Sequence, residues 1–312
     1  MDLKNDSIVT EFILLGFSGP WQLQIFFFVT FSLIYGATVL GNILIMVMVT
    51  FSSTLHSPMY FLLGNLSFLD MCLSTVTTPK MITDLLTEHK TISIRGCMAQ
   101  MFFMHFFGGA EMTLLIAMAY DRYIAICKPL HYRRIMSHRL LSGFVILSWI
   151  IGFIHTMSQM VLTVNLPFCG PSVIDNIFCD LPLVIKLACV ETYTLELFVI
   201  ADSGLLSFIC FILLLVSYTV ILATVQQRSS EGLSKALSTL SAHIIVVTLF
   251  FGPCIFIYAW PFSSFAGNKI LAVFYTVITP LLNPIIYTLR NQKMLSVMRK
   301  LWFQRVSSTQ NF

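Results

Sequence analysis

Met118-Ala119-Tyr120-Asp121-Arg122-Tyr123-Ile124-Ala125-Ile126-Cys127 is the stretch whose reading decides the fold. It closes a long apolar run, Cys97 to Ala117, with an adjacent acid and base. A helix entering water at this point places Asp121 and Arg122 at a membrane boundary. The segment that follows is rich in cations: Lys128, Arg133, Arg134 and Arg139 join Arg122. An apolar span closed by such a basic segment reads as the cytoplasmic end of a transmembrane helix, because Lys and Arg near span ends are retained on that side.

Composition supports a membrane reading for the whole chain. Of 312 residues, 57% are hydrophobic and 10% are charged, whereas a soluble domain carries roughly 25% charged residues. Water would leave that apolar surface uncovered, and a bilayer covers it. Seven stretches approach the roughly 20 apolar residues that a span needs: Gln24–Thr50, Met59–Thr78, Met98–Tyr120, Leu140–Leu162, Leu197–Leu222, Leu237–Tyr258 and Ile270–Leu289. They are continuous rather than alternating, which argues against a barrel, the other structure that can cross hydrocarbon. No linker, internal repeat or low-complexity segment divides them. The expected fold is an all-α membrane protein, a seven-transmembrane helix bundle forming one domain over residues 1–312. Residues 1–20 lack the basic start and cleavage site of a signal peptide, so the first span is expected to act as an uncleaved targeting segment.

Charge assigns the two sides. One set of connecting segments holds Arg122, Lys128, Arg133, Arg134, Arg139, Arg228, Lys235, Arg290, Lys293, Arg299, Lys300 and Arg305. The other holds Lys4, Lys80, Lys90, Arg95, Lys186 and Lys269. The richer set belongs in the cytoplasm. Residues 1–23 are then extracellular and residues 290–312 form a cytoplasmic tail. Within the tail, Asn291–Phe303 mixes Met294, Leu295, Val297, Met298, Leu301 and Trp302 with Lys293, Arg299 and Lys300, which predicts a short amphipathic helix on the inner membrane surface. The net charge of +4 gives no reason to expect a nucleic-acid partner. Asn5-Asp6-Ser7 is a glycan acceptor on the outer side. Asn65-Leu66-Ser67 matches the same pattern but lies inside a span, where no glycan can be added.

The cysteines divide in the same way. Cys72, Cys127, Cys210 and Cys254 fall in spans or at their inner ends, and Cys97, Cys169, Cys179 and Cys189 fall outside, where thiols are oxidised. Four cysteines allow three pairings. Cys97 with Cys179 would pin the long outer loop, Thr163 to Glu196, over the bundle, and Cys169 with Cys189 would close a smaller loop within it. Free thiols are the other reading. A loop of this length reads as a lid or as a spacer.

Ionisable groups inside spans are costly and are functional by default. Asp70 and Glu111 lie at similar depth in spans two and three. A shared proton, a bound cation or a polar cluster with Asn42 and Asn283 would each account for them. In span three Met104, His105, Gly108, Gly109 and Met112 form one stripe at helical spacing, which fits a ligand wall or close helix packing. His105 is alone, so no metal site is expected. Asp202, Ser203, Leu206 and Ser207 in span five, Phe251, Cys254, Ile255 and Tyr258 in span six, and Thr276 and Thr279 in span seven would complete an apolar cavity with a few hydroxyls, as small-molecule sites usually are. No His-Glu-x-x-His, Gly-x-Ser-x-Gly or phosphate loop is present, and no enzyme activity or cofactor is expected. The last span has no lysine at its centre, so a retinal Schiff base is excluded.

Several fragments in order carry a family resemblance: Gly41-Asn42; Leu55-His56-Ser57-Pro58-Met59-Tyr60-Phe61-Leu62; Asn65-Leu66-Ser67-Phe68-Leu69-Asp70; Met118 to Cys127 followed by Lys128-Pro129-Leu130-His131-Tyr132; Ser217-Tyr218; Lys235 to His243; and Pro280-Leu281-Leu282-Asn283-Pro284-Ile285-Ile286-Tyr287 before Leu289-Arg290-Asn291. Over nearly its whole length the chain resembles a rhodopsin-like G-protein-coupled receptor, and within that superfamily a tetrapod-type olfactory (odorant) receptor. It departs from that family's usual residues at Leu240, where Cys is common, and at Phe251, where Tyr is common. The resemblance implies a plasma-membrane receptor that binds a small, mostly apolar odorant in the outer cavity. It implies that Asp121, Arg122, Tyr123 and Tyr218 couple binding to the olfactory stimulatory G protein, which raises cyclic AMP. Asn42, Asp70, Glu111, Asn283 and Tyr287 would form the polar core between the two ends. A non-olfactory receptor of the superfamily, or a transporter coupled through Asp70 and Glu111, are the alternative readings.

Overall fold

The structure, a computed structural model, describes residues 9–169, 172–227, 230–259, 268–289 and 291–309, with the side chains of 230–236, 238–239, 242, 258–259, 289 and 301–309 left aside. Strand β1 (Glu11–Leu14) precedes helix α1 (Trp21–Phe51), and α2 (Pro58–Asp84) precedes strand β2 (Thr91–Ser93). Then come α3 (Ile94–Cys127), α4 (His138–Thr163), strand β3 (Val173–Ile174) and α5 (Tyr193–Gln226). Helix α6 is Ser230–Ala259, α7 covers 268–289 and α8 is Gln292–Thr309. Six of these helices are long and apolar enough to cross a membrane, and α6 contributes a shorter apolar section, His243–Ile257. Together they make a seven-helix membrane bundle with α8 appended.

Local chemistry sets the helix starts. Pro58 opens α2 at a position where its missing N–H is not needed. Ser93 caps α3 by accepting from the Gly96 amide at 3.1 Å, and Ser137 caps α4 by accepting from Leu140. The helix ends lie beyond the hydropathic spans. Helix α3 continues past Tyr120 to Cys127, so Asp121 is buried inside the bundle rather than standing at a water boundary. Its carboxylate accepts from Tyr132 Oη at 2.7 Å and lies 3.5 Å from Arg122. Helix α2 likewise passes Pro79 and ends at Asp84, which pairs with Lys80 one turn earlier.

Helix α3 is the axis of the bundle. In its most apolar stretch 61% of residues are buried, against 22% in α1 and 28% in α4 and α5, whose remaining apolar surface faces outward as a lipid belt. Packing of α3 is most extensive on α4, then on α2 and α5. The contact with α4 is close because Gly152 sits at the crossing. A Cβ there would lie 2.6 Å from the Phe106 carbonyl oxygen and 2.8 Å from the Ala110 amide, so only glycine fits, as small residues allow in membrane helix pairs.

The end of the bundle at which α1 begins carries a small sheet that hydropathy did not reveal. Its order is β2-β1-β3, with β1 antiparallel to β2 and parallel to β3. Phe12 and Leu14 of β1 point inward, fully buried with Cys97, Cys179, Leu181, Val184 and Ile185. Two lysines fasten the segment after β1: Lys90 Nζ donates to the Phe17 carbonyl at 3.1 Å and Lys269 Nζ to the Gly16 carbonyl at 2.9 Å. Lys269 also pairs with Asp175.

Candidate functional site

Beneath this cap, between α2, α3, α4, α5, α6 and α7, lies a cavity with about 400 Å³ of space free of atoms, part of it open to the exterior. Its lining includes Met104, His105, Gly108, Gly109 and Met112 from α3, Ser203 and Ser207 from α5, and Cys254 from α6. The two glycines of the stripe differ. A Cβ on Gly108 would meet nothing within 4 Å, whereas one on Gly109 would meet Gly152 Cα at 3.2 Å and His155 Cδ2 at 3.3 Å. Gly108 therefore supplies cavity volume and Gly109 supplies helix contact.

Asp202, Leu206, Phe251, Ile255, Thr276 and Thr279 stand around the cavity rather than in its lining. Asp202 accepts from Ser158 Oγ at 3.0 Å and Gln159 Nε2 at 2.9 Å, and its carboxylate lies 3.0 Å from His155 Nδ1. Thr276 and Thr279 are buried and donate to the carbonyls of Ala272 and Phe274 in their own helix. Phe251 is buried against Phe250 and Phe211, and Leu206 and Ile255 are half-buried beside the core. Tyr258 has a side chain outside those described, and Asn5 lies outside the described residues altogether.

Leu73, His155, Phe250 and Tyr275 complete the lining and were not anticipated. His155 is the most informative of them. Its ring stands 5.9 Å from that of His105, and the Asp202 carboxylate beside it gives the cavity a polar wall toward α4. An ionisable residue in the middle of span four, with Gln159 one turn later, was the available signal. Tyr275 and Ser203 both lie in π-helical turns, Phe274–Ile278 and Ile200–Gly204. Such turns add a residue within one helical circuit and are frequent at functional sites; apolar runs do not report them.

The outer loop is folded over this cavity. Cys179 is bonded to Cys97 and Cys169 to Cys189. The Cys179 amide donates to Gln100 Oε1 at 2.9 Å, and Gln100 Nε2 donates to the Val76 carbonyl at 3.1 Å. Phe178, fully buried, meets Tyr275 edge to face with ring centres 6.3 Å apart, so the loop touches the cavity wall directly.

Below the cavity comes a buried polar layer. Asn283 Nδ2 donates to both oxygens of Asp70, at 2.9 and 2.8 Å. Asn42 Nδ2 donates to the carbonyls of Thr38 and Pro280, each at 3.0 Å. Glu111 is fully buried beside Asp70, and neither of its carboxyl oxygens has a hydrogen-bond partner among the described residues. Nearer the end of the bundle opposite the sheet Tyr218 bonds to His243 Nδ1, and the His243 ring lies 6.2 Å from that of Tyr287. Burial first, and then the Asp121 carboxylate, push the Tyr132 hydroxyl above the ordinary tyrosine range. It stays protonated and holds Asp121 as a donor.

The profile of a family described as "Olfactory receptor" matches residues 31–305, most of the bundle. The chain belongs to the olfactory receptor family. Similar human proteins agree. Olfactory receptor 4L1 is 83% identical over 312 residues, covering all of both chains. Olfactory receptor 4K3 is 64% identical over 301 residues, 96% of each chain, and olfactory receptor 4K15 is 62% identical over 301 residues, covering 96% of this chain and 93% of its own. The protein is thus an olfactory receptor and a multi-pass membrane protein, and it belongs to a family of receptors rather than of enzymes. In this olfactory receptor the outer cavity, the carboxylate pair and the Asp121–Arg122 end are stacked along one helix, α3.

Proposed function

We propose that this olfactory receptor binds small, mostly apolar volatile molecules in the cavity beneath the outer loop and activates the stimulatory heterotrimeric G protein of olfactory cells, raising cyclic AMP. The observation that carries the reading is the cavity beside Gly108, walled by Met104, Met112, Leu73 and Phe250 with hydrogen-bonding groups gathered toward α4 and α5. Its apolar wall matches an apolar ligand body, and His155, Ser203 and Ser207 match one polar substituent.

Ligand acts by population shift: it must bind the signalling arrangement better than the resting one. In the arrangement described here Asp121 is held by Tyr132 and lies beside Arg122, while Tyr218 is tied to His243 across α5 and α6. We read this as the resting state. Outward movement of the inner end of α6 would break the Tyr218–His243 bond and free Tyr218 to meet Arg122 on the surface offered to the G protein, with Tyr123 flanking it. The distribution of Lys and Arg supports an N-terminus outside the plasma membrane and a tail in the cytoplasm. Asn5 is the proposed glycan site.

A broad panel of volatile compounds, applied to cells expressing the receptor with a cyclic AMP reporter, tests the proposal. At least one compound should raise cyclic AMP in a saturable manner, and Arg122→Ala should abolish that response with surface expression unchanged. A full response from surface-expressed Arg122→Ala would remove the inner-end assignment.

A further inference from the structure

A second cavity, unrelated to the odorant site, opens at the tail end of the bundle. It lies between the end of α1, the short connection Ser52-Ser53-Thr54 and the outer side of α8, and is lined also by Val47, Phe51, Val297 and Lys300. Its free space, about 650 Å³ with part of it open, exceeds that of the odorant cavity. We infer that this cavity is a binding site for the headgroup of an anionic polyol phospholipid, of the phosphatidylinositol class, drawn from the leaflet that α8 lies on.

Three observations point there. The cavity is built rather than accidental, because α8 is held in place. Tyr60 Oη donates to Asn291 Oδ1 at 2.9 Å, and the same oxygen accepts the Lys293 amide at 3.1 Å and the Met294 amide at 3.3 Å, which fixes the first turn. Met294 and Val297 are buried beneath the bundle, so Lys300, one turn beyond Val297, faces the α1 connection. Next, the site is half apolar and half polar in the way a lipid is. Phe51 is 83% exposed and Val47 41% exposed along the membrane flank of α1, a wall for acyl chains. Ser52, Ser53, Thr54 and Lys300 stand at the end of that wall. Finally, the charge is unopposed. No Asp or Glu occurs between residues 12 and 69 or between 232 and 312.

That last point selects the headgroup. Choline, ethanolamine and serine headgroups each carry an ammonium that this lining gives no carboxylate to meet. An inositol headgroup carries hydroxyls and phosphate alone, which suit the three hydroxyl side chains and the lysine. Lysine is a strongly hydrated point charge able to hold a phosphate, and a basic residue at an anionic membrane surface contributes about 1 kcal/mol, roughly five-fold in affinity.

The inference rests on α8 lying on the inner leaflet, and the test separates the two. Full-length receptor is purified in nanodiscs of phosphatidylcholine containing equal mole fractions of phosphatidylinositol and phosphatidylserine, and retained lipid is measured by native mass spectrometry. Both leaflets of a nanodisc hold both lipids, so the result does not depend on orientation, which an epitope on the tail reports independently in intact and permeabilised cells. Phosphatidylinositol is expected to be retained in preference to phosphatidylserine, and Lys300→Ala should reduce its retention roughly five-fold. Thr54→Val with Ser53→Ala should remove the preference while leaving thermal stability unchanged. Arg299→Ala, one residue away and outside the lining, should have little effect. Equal retention of the two lipids, equal losses from Arg299→Ala and Lys300→Ala, or displacement by soluble inositol phosphate alone would each overturn the assignment.

Discussion

Gly108, Gly109 and Gly152 show how much a single Cβ decides in this receptor. Gly108 borders empty space, so Gly108→Leu should fold, reach the surface and lose or shift its odorant responses; an unchanged dose response over a panel would remove Gly108 from the binding surface. At Gly152 an added methyl collides with the α3 backbone. Gly152→Ala should cost ~1–3 kcal/mol by overpacking, read as a lower melting temperature in detergent and reduced surface labelling. Asp202 offers a graded test. Asp202→Ala removes the acceptor used by Ser158 and Gln159, at a cost of about 1–3 kcal/mol for stranded donors. Asp202→Asn keeps an acceptor oxygen and should melt closer to the parent, and equal losses from the two would discount the hydrogen bonds. The stripe on α3 was legible from helical spacing alone. His155 was not, because its importance comes from Asp202, which is 47 positions later and meets it only after α4 and α5 pack.

Among the helices, the apolar centres of the spans were legible and the ends were not. Hydropathy stops at the last apolar residue, whereas a helix stops where its backbone loses partners. Asp121, Arg122 and Tyr123 continue α3 because Tyr132 and the neighbouring cation satisfy the acid. The π-helical turns in α5 and α7 were equally invisible, since one extra residue in a continuous apolar run changes no pattern. They place Ser203 and Tyr275 at the cavity. Deleting Ile200, and so restoring regular α-helix, should turn the preceding part of α5 by ~100° relative to Ser203. The expected result is a receptor that reaches the surface and no longer responds to its odorants. Retained potency would show that the turn is dispensable.

For the molecule as a whole, the seven-helix order and the family were legible from motifs spread over the chain, while the outer sheet was not. Strands of four, three and two residues are too short for alternation to stand out, and they pair across distant parts of the chain. The two disulfides should matter unequally. They close intervals of 82 and 20 residues, for which loop entropy gives about 4.5 and about 3.3 kcal/mol. Cys97→Ser should therefore reduce surface delivery more than Cys169→Ser, and the opposite ranking would indicate that the smaller loop has the larger structural role.

The position of β1 between β2 and β3 also sets a schedule. Strand β1 precedes all of the membrane helices in the chain, yet its parallel neighbour at Val173–Ile174 follows only after α1 to α4 have been made. Lys269, which holds the Gly16 carbonyl, comes later still. Strand β1 can pair with β2 once α1 and α2 have been made, but its contacts with β3 and Lys269 form only later. This closure thus joins segments from before the first membrane helix to the start of the seventh, so it can be completed only when all the helices between them are in place.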